Sequence, residues 1–206
     1  MLLRIIRNDI ASSRATTLIT TVFITIASMV ISLAVILAVT LTGAVDHLMT
    51  QAKTPHVMQM HTGAIDTERL RQFVSMQPNV AAYQVAEFLN IDGSQFQLAH
   101  KTLAASSQDN GLTPQNEQFD RLLDLNGVVI HPERGQIYAP LSYFKDGSVH
   151  QGDQIPGAGQ HFTVAGFIRD SQMNSTLSSS KRWLVNTDDY RQIRGQTRPE
   201  YLIEFR

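Results

Sequence analysis

The chain has 206 residues and a formal net charge of -1, and charged residues make up only 17% of it, against about 25% in typical soluble domains. It contains no cysteine, which excludes a disulfide framework, a thiolate zinc site and a cysteine nucleophile. Three arginines precede Asp46, so the remainder of the chain is net acidic. An acidic remainder lacks the basic stripe of a nucleic-acid surface, and we expect no nucleic-acid partner.

A long apolar segment lies close to the N-terminus. No Asp, Glu, Lys, Arg or His occurs between Ala15 and Val45. As a helix this segment would be about 46 Å long, whereas the hydrocarbon core of a bilayer is about 30 Å thick. The segment therefore predicts one transmembrane helix over 15–45. A cleaved signal peptide is the alternative, although the apolar part of such peptides usually has about 7–15 residues.

The charges that flank this segment predict its direction. Three arginines (Arg4, Arg7 and Arg14) precede it, whereas Asp46 and His47 follow it. The positive-inside rule places such an N-terminus in the cytoplasm. Residues 1–14 also resemble an amphipathic interfacial helix, although a plain charged flank explains them equally well. We expect a cytoplasmic interfacial segment at 1–14, a single-pass helix at 15–45 in the cell membrane and an extracytoplasmic domain at 46–206.

Small hydroxylated residues form a stripe along the predicted helix. Thr21, Thr25, Ser28 and Ser32 follow the spacing i, i+4, i+7, i+11, which is one helix face. Such residues allow helices in lipid to approach closely and to form hydrogen bonds. The alternative is that they bond back to carbonyls of their own helix. We predict that this face packs against transmembrane helices of other subunits.

The remainder of the chain predicts a mixed α+β domain, so the fold class is α+β behind one N-terminal transmembrane helix. Asp66 and Thr187 mark the starts of two helices, which end before Pro78 and at Gly195. Asp92-Gly93 is a hairpin signal after an apolar run, and 106–117 is polar and predicts a loop. Strands are predicted at 57–60, within 80–91, and at 95–98, 127–130, 136–139, 161–168, 183–185 and 201–205.

Five short sequences carry a resemblance to a known family. They are GQIYAPL at 135–141, QGDQI at 151–155, FTVAGFIRD at 162–170, QMNS at 172–175 and SSKRWLV at 179–185. In this order behind a first membrane helix, they resemble the periplasmic core domain of MacB/FtsX-type ABC transporter permeases. In the GD-x-I and F-x-V-x-G pieces, a turn leads into one strand and a second strand ends on a glycine.

The resemblance implies a function and partners. Permeases of this family pair with an ATPase subunit on a separate chain and serve export, resistance or the handling of lipoproteins and peptides. Their other partners are further transmembrane helices or permease subunits and membrane lipids. Family members carry three more membrane helices after the outer domain, so we expect this chain to be truncated before them. The alternative is a single-pass extracytoplasmic adaptor or sensor that docks on another membrane protein.

Catalytic and cofactor chemistry receives little support from the sequence. There is no G-x-x-x-x-G-K-[S/T] phosphate loop. Ser178 and Lys181 match the S-x-x-K motif of penicillin-binding enzymes, but the partner motifs S-D-N and K-T-G are missing. The seven histidines show no metal-ligand spacing (His47, His56, His61, His100, His131, His150 and His161). We therefore expect no enzyme, no cofactor and no metal, and we assign no catalytic residue.

Overall fold

The computed structural model describes residues 13–98, 101–103, 108–157, 159–173, 175, 177–195 and 199–206. The interfacial segment predicted at 1–14 lies almost entirely outside the described residues. The chain divides into two compact units, Met1–His47 and Leu48–Arg206. Each unit is described by itself below.

The described part of the first unit is formed by one long helix, which continues into the second unit. This helix, α1, spans Arg14–Ala52 and has 39 residues, which corresponds to about 58 Å. It contains no proline, and it continues beyond the apolar segment to Ala52. Its length and composition suffice to cross a membrane, a test that a signal sequence near the N-terminus also passes. None of its most apolar window is buried within the described residues, whereas the core helix of a soluble protein is mostly buried.

The second unit combines short strands with three short helices. The strands are β1 Val57–Thr62, β2 Tyr83–Ile91, β3 Gln97–Leu98, β4 Lys101–Thr102, β5 Asp109–Thr113, β6 Gln136–Pro140, β7 Gln154–Gly157, β8 Gln160–Ile168, β9 Ser180–Val185 and β10 Glu200–Phe205. The helices are α2 Thr67–Ser75, α3 Leu141–Lys145 and α4 Thr187–Arg194, and Gly93–Gln95 forms a 3₁₀ turn. The α+β class predicted from the sequence is confirmed.

Most strands belong to one mixed sheet of eight strands, in the order β1-β10-β2-β5-β9-β6-β8-β7. The pairs β5–β9 and β6–β8 are parallel, and the other neighbours are antiparallel. Strands β3 and β4 pair with each other in a separate two-stranded sheet. Strands β1 and β7 are therefore the two edges of the large sheet.

The two faces of the large sheet are packed differently. One face carries the main apolar core, in which the Trp183 ring stacks on Phe96 and Tyr143 at centroid distances of 5.2 and 5.1 Å. Helices α3 and α4 contribute to this core through Tyr143, Tyr190 and Ile193. The opposite face carries two smaller apolar clusters. These consist of Ala86, Phe88, Met173 and Leu202, and of Leu122, Ile130, Ile168 and Leu184.

Local sequence signals explain most of these elements. The Asp66 side chain accepts a hydrogen bond from the Arg69 backbone N–H at 2.9 Å and caps α2, as predicted. Helix α4 begins at Thr187 and ends at Gly195, also as predicted, and Asn186 caps it. Strands β1, β2, β6, β8, β9 and β10 confirm the predictions near 57, 80–91, 136, 161, 183 and 201.

Four predictions about this domain are wrong. The region 106–117 is not a loop, because it contains β5, which lies between β2 and β9. The region 127–130 forms only an isolated bridge between Val129 and Leu123. Strand β3 follows the Asp92-Gly93 signal but pairs with β4, so it does not form a hairpin with β2. Strand β8 does not end at Gly166 but continues to Ile168.

Candidate functional site

The predicted packing face lies on α1. All four residues (Thr21, Thr25, Ser28 and Ser32) are exposed within the helix. Thr25, Ser28 and Ser32 line a shallow groove of about 540 Å³ together with apolar neighbours such as Ile24 and Met29. The groove exists because these side chains are smaller than those on either side of them.

The threonine hydroxyls of this face bond back to the helix. The Oγ1 of Thr21 donates to the Thr17 carbonyl at 2.8 Å, and that of Thr25 donates to the Thr21 carbonyl at 2.8 Å. This is the local bonding that the sequence offered as the alternative. Because each donor proton is used locally, these two threonines can offer a neighbour an acceptor oxygen and a small volume. The packing role itself stays a prediction.

A buried ion cluster, which the sequence did not predict, lies in the second unit. The cluster is centred on Arg182 of β9, whose side chain is 1% exposed. Its Nε and Nη2 each donate to Asp170 at 2.6 Å, and its Nη1 and Nη2 donate to Asp120. Arg182 lies two residues before Leu184 on β9, so the cluster occupies the face that carries the smaller apolar clusters.

Charge pairing favours the ionised forms of Arg182 and Asp120. Burial lowers the pKa of Arg182, but the two carboxylates outweigh that effect and hold it well above its usual value. Burial likewise raises the pKa of Asp120, but the charge and hydrogen bonds of Arg182 outweigh burial, so it lies below its usual value. One buried cation thus binds two buried anions, an arrangement that is costly to leave incomplete.

Glu204 extends the cluster and behaves differently. It lies on β10 with no exposed surface, and its Oε2 accepts a hydrogen bond from Gln84. Burial raises the pKa of Glu204 to about 9. Asp120 contributes to this shift through a hydrogen bond and through its negative charge. At neutral pH Glu204 is therefore protonated.

The end of α1 is hydrogen-bonded to the same part of the domain. Ala52 is fully buried, and its carbonyl accepts from the Arg121 backbone N–H at 2.8 Å. The Lys53 carbonyl accepts from the Asp120 backbone N–H at 3.1 Å. Lys53 and Asp120 both adopt left-handed backbone conformations, with φ of 51° and 53°. Asp120 thus bonds to Lys53, just after the helix, through its backbone, and to Arg182 through its side chain.

Ser178 and Lys181, the two residues of the S-x-x-K motif, both donate hydrogen bonds to backbone carbonyls. Ser178 Oγ donates to the Ser180 carbonyl at 3.0 Å, and Lys181 Nζ donates to the carbonyls of Met173 and Ser175. Burial lowers the pKa of Lys181, and the charge of Asp170 opposes that shift. Ser180 and Lys181 belong to β9, whereas the enzyme motif opens a helix.

A polar cleft of about 610 Å³ lies where β1, β2, β5 and β10 meet, with Asp92, Asp109 and Glu200 among its lining residues. Among the residues that the structure describes, no three His, Asp or Glu side chains are close enough to hold a metal ion. His100 lies outside the described residues.

The sequence contained a signal for the buried cluster. Glu204 lies between Ile203 and Phe205, and Arg182 precedes the apolar Trp183–Val185 part of β9. A charge within an apolar strand is a sign of buried pairing. Comparison of the chain with protein-family models gives no match, and comparison with curated proteins gives none either.

Proposed function

We propose that this chain is a membrane component of an ABC transporter of the MacB/FtsX type. In this proposal α1 crosses the cell membrane once, with the N-terminus in the cytoplasm and the second unit outside. A separate ATPase subunit drives a motion of the membrane helices, and α1 transmits that motion to the outer domain. The work of the chain is binding and mechanical coupling for export, resistance or the handling of lipoproteins and peptides.

The attachment of α1 to the domain carries this proposal. A helix that only anchors a domain needs no fixed connection to it, and a flexible linker would suffice. Here the end of the helix is buried at Ala52 and hydrogen-bonded to residues 120 and 121. A displacement of the helix end therefore acts on the backbone of Asp120, and through its carboxylate on Arg182 in β9.

The packing face supplies the second half of the coupling. Motion reaches α1 only if it contacts other moving helices, and the groove at Thr25, Ser28 and Ser32 is a surface that a neighbouring helix can enter. Leucine at Thr25 and Ser28 would fill that groove. Ala27 and Ala34 lie on the far side of the helical wheel, so leucine at those two positions is the matched control.

The proposal is tested by purification of the full chain from its native membranes in mild detergent. We expect an ATP-hydrolysing subunit to co-purify with the unmodified chain and with the Ala27→Leu, Ala34→Leu variant. The Thr25→Leu, Ser28→Leu variant should lose most of that subunit. If the unmodified chain purifies without an ATPase, the transporter proposal is wrong; if both variants retain it equally, the packing face is wrong.

Membrane orientation is tested with single cysteines, because the chain has none of its own. Ser13 and Gln151 are exposed and lie on opposite sides of the proposed membrane span. In intact cells a membrane-impermeant maleimide should label Gln151→Cys, whereas Ser13→Cys should react only after lysis. The reverse pattern contradicts the orientation, and a mature chain that lacks the apolar segment shows that α1 is a cleaved signal sequence.

A single-pass adaptor or sensor is the second candidate function. One observation favours it: the described residues contain one helix that is long and apolar enough for a membrane, and an adaptor needs only one. The two candidates differ in the purification experiment. An adaptor would retain a membrane partner through the Thr25 and Ser28 face but would yield no ATPase.

A further inference from the structure

The edge strand β1 has none of the features that usually protect a sheet edge. Its sequence, VMQMHT, contains no charged residue and no proline. Val57 and Met60 are 58% and 43% exposed. In the part of the chain that the structure describes, the backbone of β1 pairs only with β10, which leaves its outer side open. Natural proteins normally protect such edges with charges, proline or a covering segment, because an open edge pairs with other strands.

The opposite edge of the sheet is protected. Strand β7 has only four residues, and Pro156 in its centre has no backbone N–H to donate. A contact between β1 of one molecule and β7 of the next would therefore be short and would lack a backbone donor at Pro156. Head-to-tail contacts of this kind would produce open filaments. A contact between β1 of one copy and β1 of a second copy uses the same strand twice, and therefore closes as a two-fold symmetric dimer.

We propose that β1 pairs antiparallel with β1 of a second copy of this chain, with Gln59 opposite Gln59 at the two-fold axis. Opposite residues of an antiparallel pair lie on the same face, so residues paired between the two copies must be identical or separated by an even number of positions. Centring on Gln59 places Met58 opposite Met60 twice and Val57 opposite His61 twice. No like charges meet, and the thioether side chains lie against each other on one face.

The size of this contact predicts where it forms. A single pair of six-residue strands buries less than the roughly 1,200 Å² of a stable interface between soluble proteins. Two copies anchored in one bilayer have a much higher effective concentration, and β1 begins five positions after the end of α1. This step rests on the proposed membrane location of α1. We expect pairing in membranes and dissociation in dilute detergent.

The test uses single-cysteine variants of the full chain reconstituted in lipid vesicles. Gln59→Cys places two thiols opposite each other, so a short bismaleimide should link the copies. Thr62→Cys is the matched control on the same strand: in this register its two thiols are separated by six residues, about 20 Å. Gln154→Cys on β7 controls for random collisions. We expect at least about tenfold more linked dimer from Gln59→Cys than from either control.

A second variant tests the contact without moving the thiol. Met60→Lys in the Gln59→Cys background adds the kind of charge that protects edge strands and should remove most of the linked dimer. Met76→Lys, at an exposed residue that lies outside β1, should leave it unchanged. Equal linking of the Gln59, Thr62 and Gln154 variants overturns the proposal. Because no ATPase is present in the vesicles, this result is separate from the outcome of the transporter test.

Discussion

The two units of this chain place their side chains in opposite environments. Helix α1 exposes nearly all its large apolar side chains, including Phe23 at 71% and Ile31 at 64%. The second unit buries an arginine and three carboxyl groups at the face of its sheet. Each arrangement is unfavourable in isolation: the helix needs lipid or other helices around it, and the charges need each other. The environment, rather than the intrinsic preference of the residues, therefore decides where each unit is stable.

Replacement of Arg182, the cation at the centre of the buried cluster, is expected to have the largest effect on stability. Arg182→Met leaves Asp120 and Asp170 buried without their partner, which should destabilise the domain by about 3–5 kcal/mol. The measurement is urea unfolding of the full chain in detergent, followed by the fluorescence of Trp183, the one tryptophan of the chain. Trp183 is fully buried in the main core and therefore reports on the domain.

An exposed ion pair supplies the control for that experiment. Arg191 binds Asp188 at 3.1 Å, and its side chain is 72% exposed. Arg191→Met should cost less than about 1 kcal/mol, because water solvates the charge that remains. Similar losses for the Arg182 and Arg191 variants would show that the buried cluster does not stabilise the fold as described.

Alanine substitutions at one glycine in each unit allow the side-chain packing of the two units to be compared. A Cβ at Gly111 of β5 would lie 2.2 Å from the Phe88 ring, whereas a Cβ at Gly43 of α1 would meet nothing within 4 Å. Gly111→Ala should cost about 1–3 kcal/mol by overpacking, and Gly43→Ala should not destabilise the domain. The same urea titration measures both. A neutral Gly111→Ala would mean that the Phe88 ring moves aside without cost.

The pH dependence of stability isolates Glu204. The pKa of Glu204 is about 9 in the folded chain against its ordinary value of 4.5, so the folded state binds a proton that the unfolded state releases. This contribution to stability is complete below about pH 4.5 and is lost as the pH rises through 9. Glu204→Gln should therefore raise stability at pH 8 and flatten the decline of stability between pH 5 and 9.

An internal control separates this effect from ordinary packing. Near pH 4.5 and below, Glu204 is protonated in both states, so the variant and the unmodified chain should have similar stability. The depressed pKa of Asp120 acts in the opposite direction, since its contribution is lost as the pH falls through its folded value. Identical pH slopes between pH 5 and 9 for the two proteins would contradict a protonated Glu204.

The sequence predicted the elements whose signals are local. The helix starts predicted at Asp66 and Thr187 depend on bonds within one turn, which Asp66 and Asn186 accept, and alternation along 161–168 and 201–205 defines strands without knowledge of their neighbours. The apolar segment of α1 is also local. Its packing face, orientation and family remain predictions, because each concerns a partner outside the chain.

The elements that the sequence did not predict depend on distant residues. Strand β5 has the composition of a loop, but Asn110 accepts hydrogen bonds from Tyr143 and Trp183, and Gly111 makes room for the Phe88 ring. Arg182 and Asp120 are 62 residues apart in sequence. No periodicity connects such pairs. The detectable signal was only that Arg182 and Glu204 carry charge next to apolar strand residues.

The smallest expected effect concerns Lys53, the residue that directly follows α1. After α1, the Thr54 N–H donates to the Met49 carbonyl and the Lys53 N–H to the Thr50 carbonyl, a pattern that normally places glycine where Lys53 lies. Because a lysine at φ 51° is strained, Lys53→Gly should stabilise the domain by about 0.5 kcal/mol, despite the greater freedom that glycine gives the unfolded chain. Lys53→Ala keeps the strain and should not stabilise the domain. If both variants change stability equally in the urea titration, the lysine side chain rather than the backbone conformation is responsible.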